Sequence, residues 1–233
     1  KKSIKMKKIL FTLVLIIGFI LPRVAVAQFG NVKTIHVTPE NAKIFYNGHE
    51  VGNGTYQIKF KKSDDFAVLK FEAPGYITKT VKVFKNNPNK TISFSLSKDE
   101  AMANSIGGED GVDVANKFFL VQAKDGMTEN DVWKRIVNIA INYFENVEVM
   151  DKDAGWIKTA WVYDNFSSQS VRTRLEIRHQ YSGGDQLSYK VKLYSEIAEG
   201  STKKDEDFQQ YDRVLRKYND IVTELQTMVG HGL

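Results

Sequence analysis

Apolar and polar residues alternate with a period of two along the first half of the chain. The alternation runs through Thr34–Val37, Ala42–Tyr46, Tyr56–Phe60, Ala67–Phe71, Thr80–Phe84 and Thr91–Leu96. A strand sends successive side chains to opposite faces, so each run predicts a half-buried strand. Turn-forming residues separate them: Pro39, Asn47-Gly48, Gly52-Asn53-Gly54, Pro74-Gly75 and Asn86-Asn87-Pro88-Asn89. Asn47-Gly48 suits a tight hairpin with positive φ at both central residues, and Pro74-Gly75 suits a type II turn. Short strands at such spacing predict a small all-β sandwich over residues 28–98.

The pattern then changes. Residues 99–113 contain Asp99-Glu100, Asn104-Ser105 and Gly107-Gly108-Glu109-Asp110-Gly111. They offer little to bury and predict a linker. Their glycines open no helix and no Lys-Ser/Thr pair follows, which argues against a phosphate loop. Residues 114–233 predict a second domain. A strand is expected over Val114–Gln122. A helix follows, opened by Thr128 with Asp131 three residues on, a variant of the capping box. Val132, Ile136, Ile139 and Tyr143, flanked by Trp133, Val137, Ala140 and Phe144, give that helix a wide apolar stripe. Strands are expected at Val147–Met150, Trp156–Tyr163, Val171–Tyr181 and Leu187–Ile197. Phe208, Tyr211, Leu215, Tyr218, Val222, Leu225 and Val229 recur at spacings of 3 and 4, which predicts one long helix from Glu206 to Val229, capped by Asp205. The expected fold class is α+β: a small sandwich, then an antiparallel sheet packed by two helices in a helix-grip arrangement.

The sandwich carries a recognisable motif. Pro39-Glu40-Asn41-Ala42 is followed by an alternating strand, then Asn47-Gly48, then Val51-Gly52. Pro74-Gly75-Tyr76 later leads into Ile77–Phe84. This order resembles the PEGA module, named for a Pro-Glu-Gly-Ala tetrapeptide, over residues of about 30–98. Asn41 stands in the glycine position, and asparagine tolerates left-handed backbone better than other side chains do. Asn53-Gly54-Thr55 stands where the family tends to have Thr-Pro. In the second domain, Trp133–Trp161 resembles the C-terminal domains of BamC, an accessory lipoprotein of outer-membrane β-barrel assembly. The shared features are a helix with an early tryptophan, a strand, an Asp-x-Asp-x-Gly turn and another strand. The PEGA resemblance implies an exported protein with a binding or scaffolding role in an envelope assembly; this chain lacks BamC's lipid-anchor cysteine and places a β-sandwich first, so no BamC role is carried over.

The first 27 residues fit export. Met6-Lys7-Lys8 is a short basic start, Ile9–Leu21 is apolar, and Ala25-Val26-Ala27 supplies small residues for cleavage before Gln28. The apolar run falls short of the roughly 20 residues of a membrane span. Residues 1–5 precede the plausible initiator Met6 and read as non-native coding sequence. The formal charge of +5 changes meaning here, because six of the 33 basic residues and no acidic one lie in this segment. Basicity is therefore no argument for nucleic-acid binding. The chain has no cysteine, which excludes disulfides and a lipid anchor on cysteine. The expected location is the periplasm or cell surface of a Gram-negative bacterium.

Little in the sequence points to catalysis. His36, His49, His179 and His231 have no metal-ligand spacing among them, and there is no Gly-x-Ser-x-Gly elbow. Asp151-Lys152-Asp153-Ala154-Gly155 places glycine where a calcium loop needs an oxygen ligand, so it reads as a hairpin turn. No enzyme activity, cofactor or metal is expected. The candidate surface comes from alternation. Val171, Thr173, Leu175, Ile177 and Tyr181 should face the helices, leaving Arg172, Arg174, Glu176, Arg178 and Gln180 on the other face. Leu187, Tyr189, Val191 and Leu193 should face inward, leaving Lys190, Lys192, Tyr194 and Glu196 outward. Pairing these strands around Ser182–Asp185 collects Arg172, Arg174, Arg178, Lys190 and Lys192 on one exposed face. That face is either a solvated, ion-paired surface or a docking site for an acidic partner or an anionic envelope polymer. Trp156 joins it as an anchor or as cover for a sheet edge, whereas Trp161 is expected in the core with Ile157 and Tyr163. The leading reading is a non-catalytic binding or scaffolding subunit. The other is a periplasmic carrier of a small apolar or anionic ligand, with Trp161, Tyr181 and Tyr189 filling or lining a pocket between sheet and helix.

Overall fold

The computed structural model describes residues 32–107, 113–181 and 186–232. The expected signal peptide, Gly108, Gly111 and the Ser182–Asp185 turn lie outside them, as does the His231 side chain. The fold is α+β, and the described residues divide into two hydrophobic cores.

The first core is a sandwich of seven strands. These are β1 (Val32–Thr38), β2 (Lys43–Tyr46), β3 (His49–Asn53), β4 (Thr55–Lys59), β5 (Phe66–Glu72), β6 (Lys79–Phe84) and β7 (Thr91–Ser95). One sheet has the order β4-β1-β7, with β1 parallel to β7, and the other has the order β3-β2-β5-β6. Ile35, Ile44, Leu69 and Phe71 are completely buried between them. β3 was not expected, because His49-Glu50 breaks the apolar alternation. Asn47 and Gly48 have φ of 51° and 80° and form the expected hairpin turn between Tyr46 and His49. Gly75, at φ 75°, follows the type II expectation, with Tyr76 N–H donating to Ala73 O at 3.1 Å. Asn41 is not left-handed. Ala42 N–H closes that turn on Pro39 O at 2.9 Å without a positive φ. The glycine required here is Gly54, at φ 61°: a Cβ on it would lie 2.3 Å from Glu40 O.

The second core sits under a single mixed-length sheet. Its strands are β9 (Phe118–Ala123), β10 (Val147–Asp151), β11 (Trp156–Thr159), β12 (Val162–Asn165), β13 (Gln169–His179), β14 (Ser188–Glu199), β15 (Gln209–Gln210) and β17 (Gly230–Gly232). The order is β10-β11-β13-β14-β9-β17, with β12 added on β13 and β15 on β14. β13 and β14 form the expected hairpin, with Arg172 opposite Glu196, Arg174 opposite Tyr194, Glu176 opposite Lys192 and Arg178 opposite Lys190. The inner face is covered by α2 (Glu129–Tyr143) and α3 (Ile221–Met228); α1 is introduced below. Thr128 caps α2 as expected, accepting from Asp131 N–H at 3.2 Å. The interior is filled by Ile136, Ile139, Phe144, Ile157, Leu175, Ile177, Tyr189 and Leu225, each no more than 1% exposed.

Two expectations need correction. The segment read as a linker is folded over its described part. Residues Glu100–Ala103 form α1 and Ser105-Ile106 form β8, which pairs with β16 (Val214-Leu215). Ala101 and Ser105 are completely buried. The long helix over Glu206–Val229 is also absent. Gln209 and Gln210 pair with Ile197 and Glu196 on the edge of β14 that β9 leaves open. Asn116 fills the gap beside them: its side chain accepts from Ser195 N–H at 3.1 Å and donates to Ser195 O and Tyr211 O at 2.8 Å. An unpaired edge inside a fold is costly, so pairing there wins over helix propensity. α-Helix survives only at Ile221–Met228, with single 3-10 turns at Asp205–Asp207 and Arg216–Tyr218. Leu215, Tyr218, Val222, Leu225 and Val229 are buried all the same.

Candidate functional site

The outer face of the second sheet is where the predicted residues meet. Arg172, Arg174, Glu176 and Arg178 project from it, alongside Lys190, Lys192, Tyr194 and Glu196. Trp156 and Lys158 join from β11, opposite Arg178 and Glu176. Trp161 joins them rather than the core. Between the β11 and β12 registers the chain advances from Lys158 to Val162 while β13 advances only from Glu176 to Thr173. One extra residue is therefore accommodated, and Trp161 turns to the outer face. No alternation count could foresee that.

One half of this face is closed by the chain itself. Arg172 was expected exposed, yet it is 5% exposed. Its guanidinium lies between the rings of Trp161 and Phe208, at 4.4 and 4.3 Å from their centroids. Its Nε and Nη2 donate to Glu196 Oε2 at 2.7 and 2.6 Å, and Nη1 donates to Asp205. Burial lowers the guanidinium pKa, but hydrogen bonds to Asp205, Tyr163 and Glu196 and the Glu196 charge outweigh it and hold the cation firmly. Arg172 is thus a fastening for the 205–208 segment and is not presented to a partner.

The other half is open. Glu176, 4% exposed, lies at its centre. It accepts from Trp156 Nε1 at 3.0 Å, Tyr194 Oη at 2.8 Å and Arg178 Nε at 2.6 Å. Burial raises its pKa, and these donors together with the Arg178 charge lower it by more, leaving it below the ordinary carboxylate value. The carboxylate therefore orients two aromatic rings and one cation. Arg178 stacks on Trp156 at 4.9 Å, and its side chain is 56% exposed. Arg174 stacks on Trp161 at 4.2 Å and on Tyr194 at 5.0 Å. Among the described residues its nearest carboxylate, on Glu148, is 4.0 Å away, and its buried Nε has no hydrogen-bond partner. Lys192 lies over Tyr194 at 4.3 Å and over Phe118 at 5.0 Å. Phe118 is 56% exposed. Lys190 is exposed, and neither lysine forms an ion pair among the described residues. The arrangement offers ordered rings and cations with spare donors, which suits an acidic, partly apolar segment.

The other predicted residues lie elsewhere. Tyr181, expected inward, is 78% exposed beside His179, past the end of β13. Tyr189 is in the core as expected. The Asp151–Gly155 segment is a hairpin turn: Ala154 N–H donates to Asp151 Oδ1 at 2.9 Å, and Asp151 pairs with Trp156. Gly155, at φ 59°, allows His179 to pack close, since a Cβ there would lie 2.6 Å from the His179 Cβ. Phe118 and Phe208, which shape the two halves of the face, were missed as site residues. The outward parity of Phe118 against Lys192 becomes legible only once β9 is known to pair with β14. No protein-family model matches the chain, and no curated protein matches it in sequence.

Proposed function

We propose that the protein is a non-catalytic binding or scaffolding subunit of a bacterial cell-envelope or surface assembly, and that the open half of the outer face captures an acidic segment of an envelope protein. The observation that carries this reading is the set of Arg174, Arg178 and Lys192. Each is stacked on an aromatic ring; Arg174 meets Glu148 only at 4.0 Å, and Lys192 forms no ion pair among the described residues. Buried aromatic and arginine anchors dominate binding energy at interfaces, and ring stacking holds such side chains in place before a partner arrives. The PEGA-like order of motifs, the BamC-like segment and the export signal in the sequence support placing it in the periplasm or on the cell surface. Among the described residues no helix is long and apolar enough to cross a membrane.

The carrier reading has less to support it. Of the three residues that were to fill or line its pocket, Trp161 stacks on the outer face, Tyr181 is exposed and Tyr189 is packed in the core. Gentle purification of the tagged protein from its native envelope, followed by intact-mass measurement of the complex, tests the choice. A protein partner at fixed stoichiometry is expected. A small bound mass without a protein partner would replace this reading with the carrier.

A further inference from the structure

One end of the N-terminal sandwich gathers more lysines than the described carboxylates beside them, Asp64 and Asp65, balance. The start of β1, the end of β4, the start of β5, the end of β6 and the start of β7 all lie there: Val32 is opposite Lys59, Phe66 opposite Phe84, and Thr34 opposite Thr91. The loops at this end are tied to one another. Lys85 Nζ donates to Lys61 O and Lys62 O at 2.9 Å, and Lys33 Nζ donates to Asn87 O and to Asn89 O, the latter at 3.1 Å. These bonds use up carbonyls and leave the charges in place. Lys59, Lys61, Lys62, Lys82 and Lys90 are exposed, and none forms an ion pair among the described residues. Only Asp64 and Asp65 oppose them in these loops, and Asp64 accepts from the Lys61 N–H at 2.8 Å.

Large apolar side chains stand in the same place. Phe66 and Phe84 are 44% and 50% exposed with ring centroids 5.9 Å apart, and Val68 beside them is 41% exposed. Lys82 Nζ lies 5.0 Å over the Phe66 ring. Two adjoining exposed phenylalanines, one under a lysine and both next to lysine-rich loops, are unusual on a surface that meets only water. Such a pairing suits the boundary of an anionic bilayer, where rings enter the headgroup region and lysines meet phosphates.

We propose that this end of the sandwich rests on an anionic lipid surface, with Phe66 and Phe84 at the headgroup boundary and Lys59, Lys61, Lys62, Lys82 and Lys90 around them. A chain beginning at Gln28 retains every described element and removes the apolar run from the experiment. It is floated with vesicles of phosphatidylglycerol and phosphatidylcholine, and with phosphatidylcholine alone, at low and high salt. Binding is expected only to the phosphatidylglycerol vesicles and is expected to weaken with salt. Replacing Lys61, Lys62 and Lys90 by Ser should lower the vesicle partition coefficient by about a hundredfold, since each lysine near such a surface contributes about a fivefold factor. Phe66→Ser/Phe84→Ser should weaken it as well at unchanged charge. All five positions are exposed, and a thermal melt confirms that the variants fold. Failure of the folded protein to bind phosphatidylglycerol vesicles at low salt would overturn the proposal. So would displacement by inorganic phosphate at matched ionic strength, which would mark a phosphate site instead of a bilayer surface. Loss of binding with Arg174→Glu/Lys192→Glu but not with the lysine or phenylalanine variants would overturn it too.

Discussion

Arg172 and Arg178 stand on the same face of the same strand and do different work. Arg172 is buried between Trp161 and Phe208 and gripped by Glu196 and Asp205. Arg178 is stacked on Trp156 with more than half its side chain in water. The difference lies in what the rest of the chain lays over them. The 205–208 segment covers one end of the face and stops. A row of like charges along a strand is therefore not one surface, and only its uncovered half is available to a partner.

Substitutions sharpen this comparison. Arg172→Ala should cost the most, about 2–4 kcal/mol in urea unfolding, because it removes a buried cation and leaves Glu196 without its partner. A loss as small as that of an exposed pair would show that the 205–208 segment does not depend on Arg172. Glu176→Gln should cost less, about 1–2 kcal/mol at neutral pH, since the neutral amide still reaches some of the same donors. Its effect should depend on pH. The folded-state pKa of Glu176 is depressed, so its charge stabilises the fold above the unfolded carboxylate value and that contribution is lost as pH falls through the folded one. The wild-type advantage over Glu176→Gln should therefore shrink as pH drops below about 4. A constant difference down to acid pH would contradict the assignment. Arg174→Glu/Lys192→Glu should cost about 1–2 kcal/mol in unfolding, because Arg174 leaves Trp161 and Tyr194 and Lys192 leaves Tyr194 and Phe118. Arg178→Ala should cost about 1 kcal/mol, because the cation itself is half in water while the buried Glu176 keeps Trp156 and Tyr194 as donors.

The sequence made the faces legible, and hid their covers. Alternation put Arg172, Arg174 and Arg178 on one side of β13 and Val171, Leu175 and Ile177 on the other, because a period of two is a property of the strand itself. It could not show Asp205 and Phe208 closing over Arg172, since that contact joins residues far apart in the chain. Trp161 was misplaced by a single inserted residue, and Tyr181 by assuming that the strand ran past His179. The spacing of Leu215, Tyr218, Val222, Leu225 and Val229 marked their burial correctly. It did not mark their conformation, because the open edge of β14 recruited Gln209-Gln210 first. Likewise the polar composition of residues 99–107 hid Ala101 and Ser105, two small residues that fit into the core.

The N-terminal sandwich repeats the lesson in a simpler form. Its core positions and turns were readable, since Asn47-Gly48 and Pro74-Gly75 act locally. The convergence of Lys33, Lys61, Lys62, Lys85 and Lys90 at one end was not, because it arises only when five strand ends are brought together.

The central claim is that the open half of the outer face holds the partner and the closed half does not. The direct test is native mass spectrometry of complexes purified at low salt from envelopes expressing the wild type or Arg174→Glu/Lys192→Glu. The account predicts a partner at fixed stoichiometry with the wild type, dissociating as salt is raised, and its loss from the folded double variant. Retention of the same partner by that variant, at the same stoichiometry and with the same salt dependence, would contradict it.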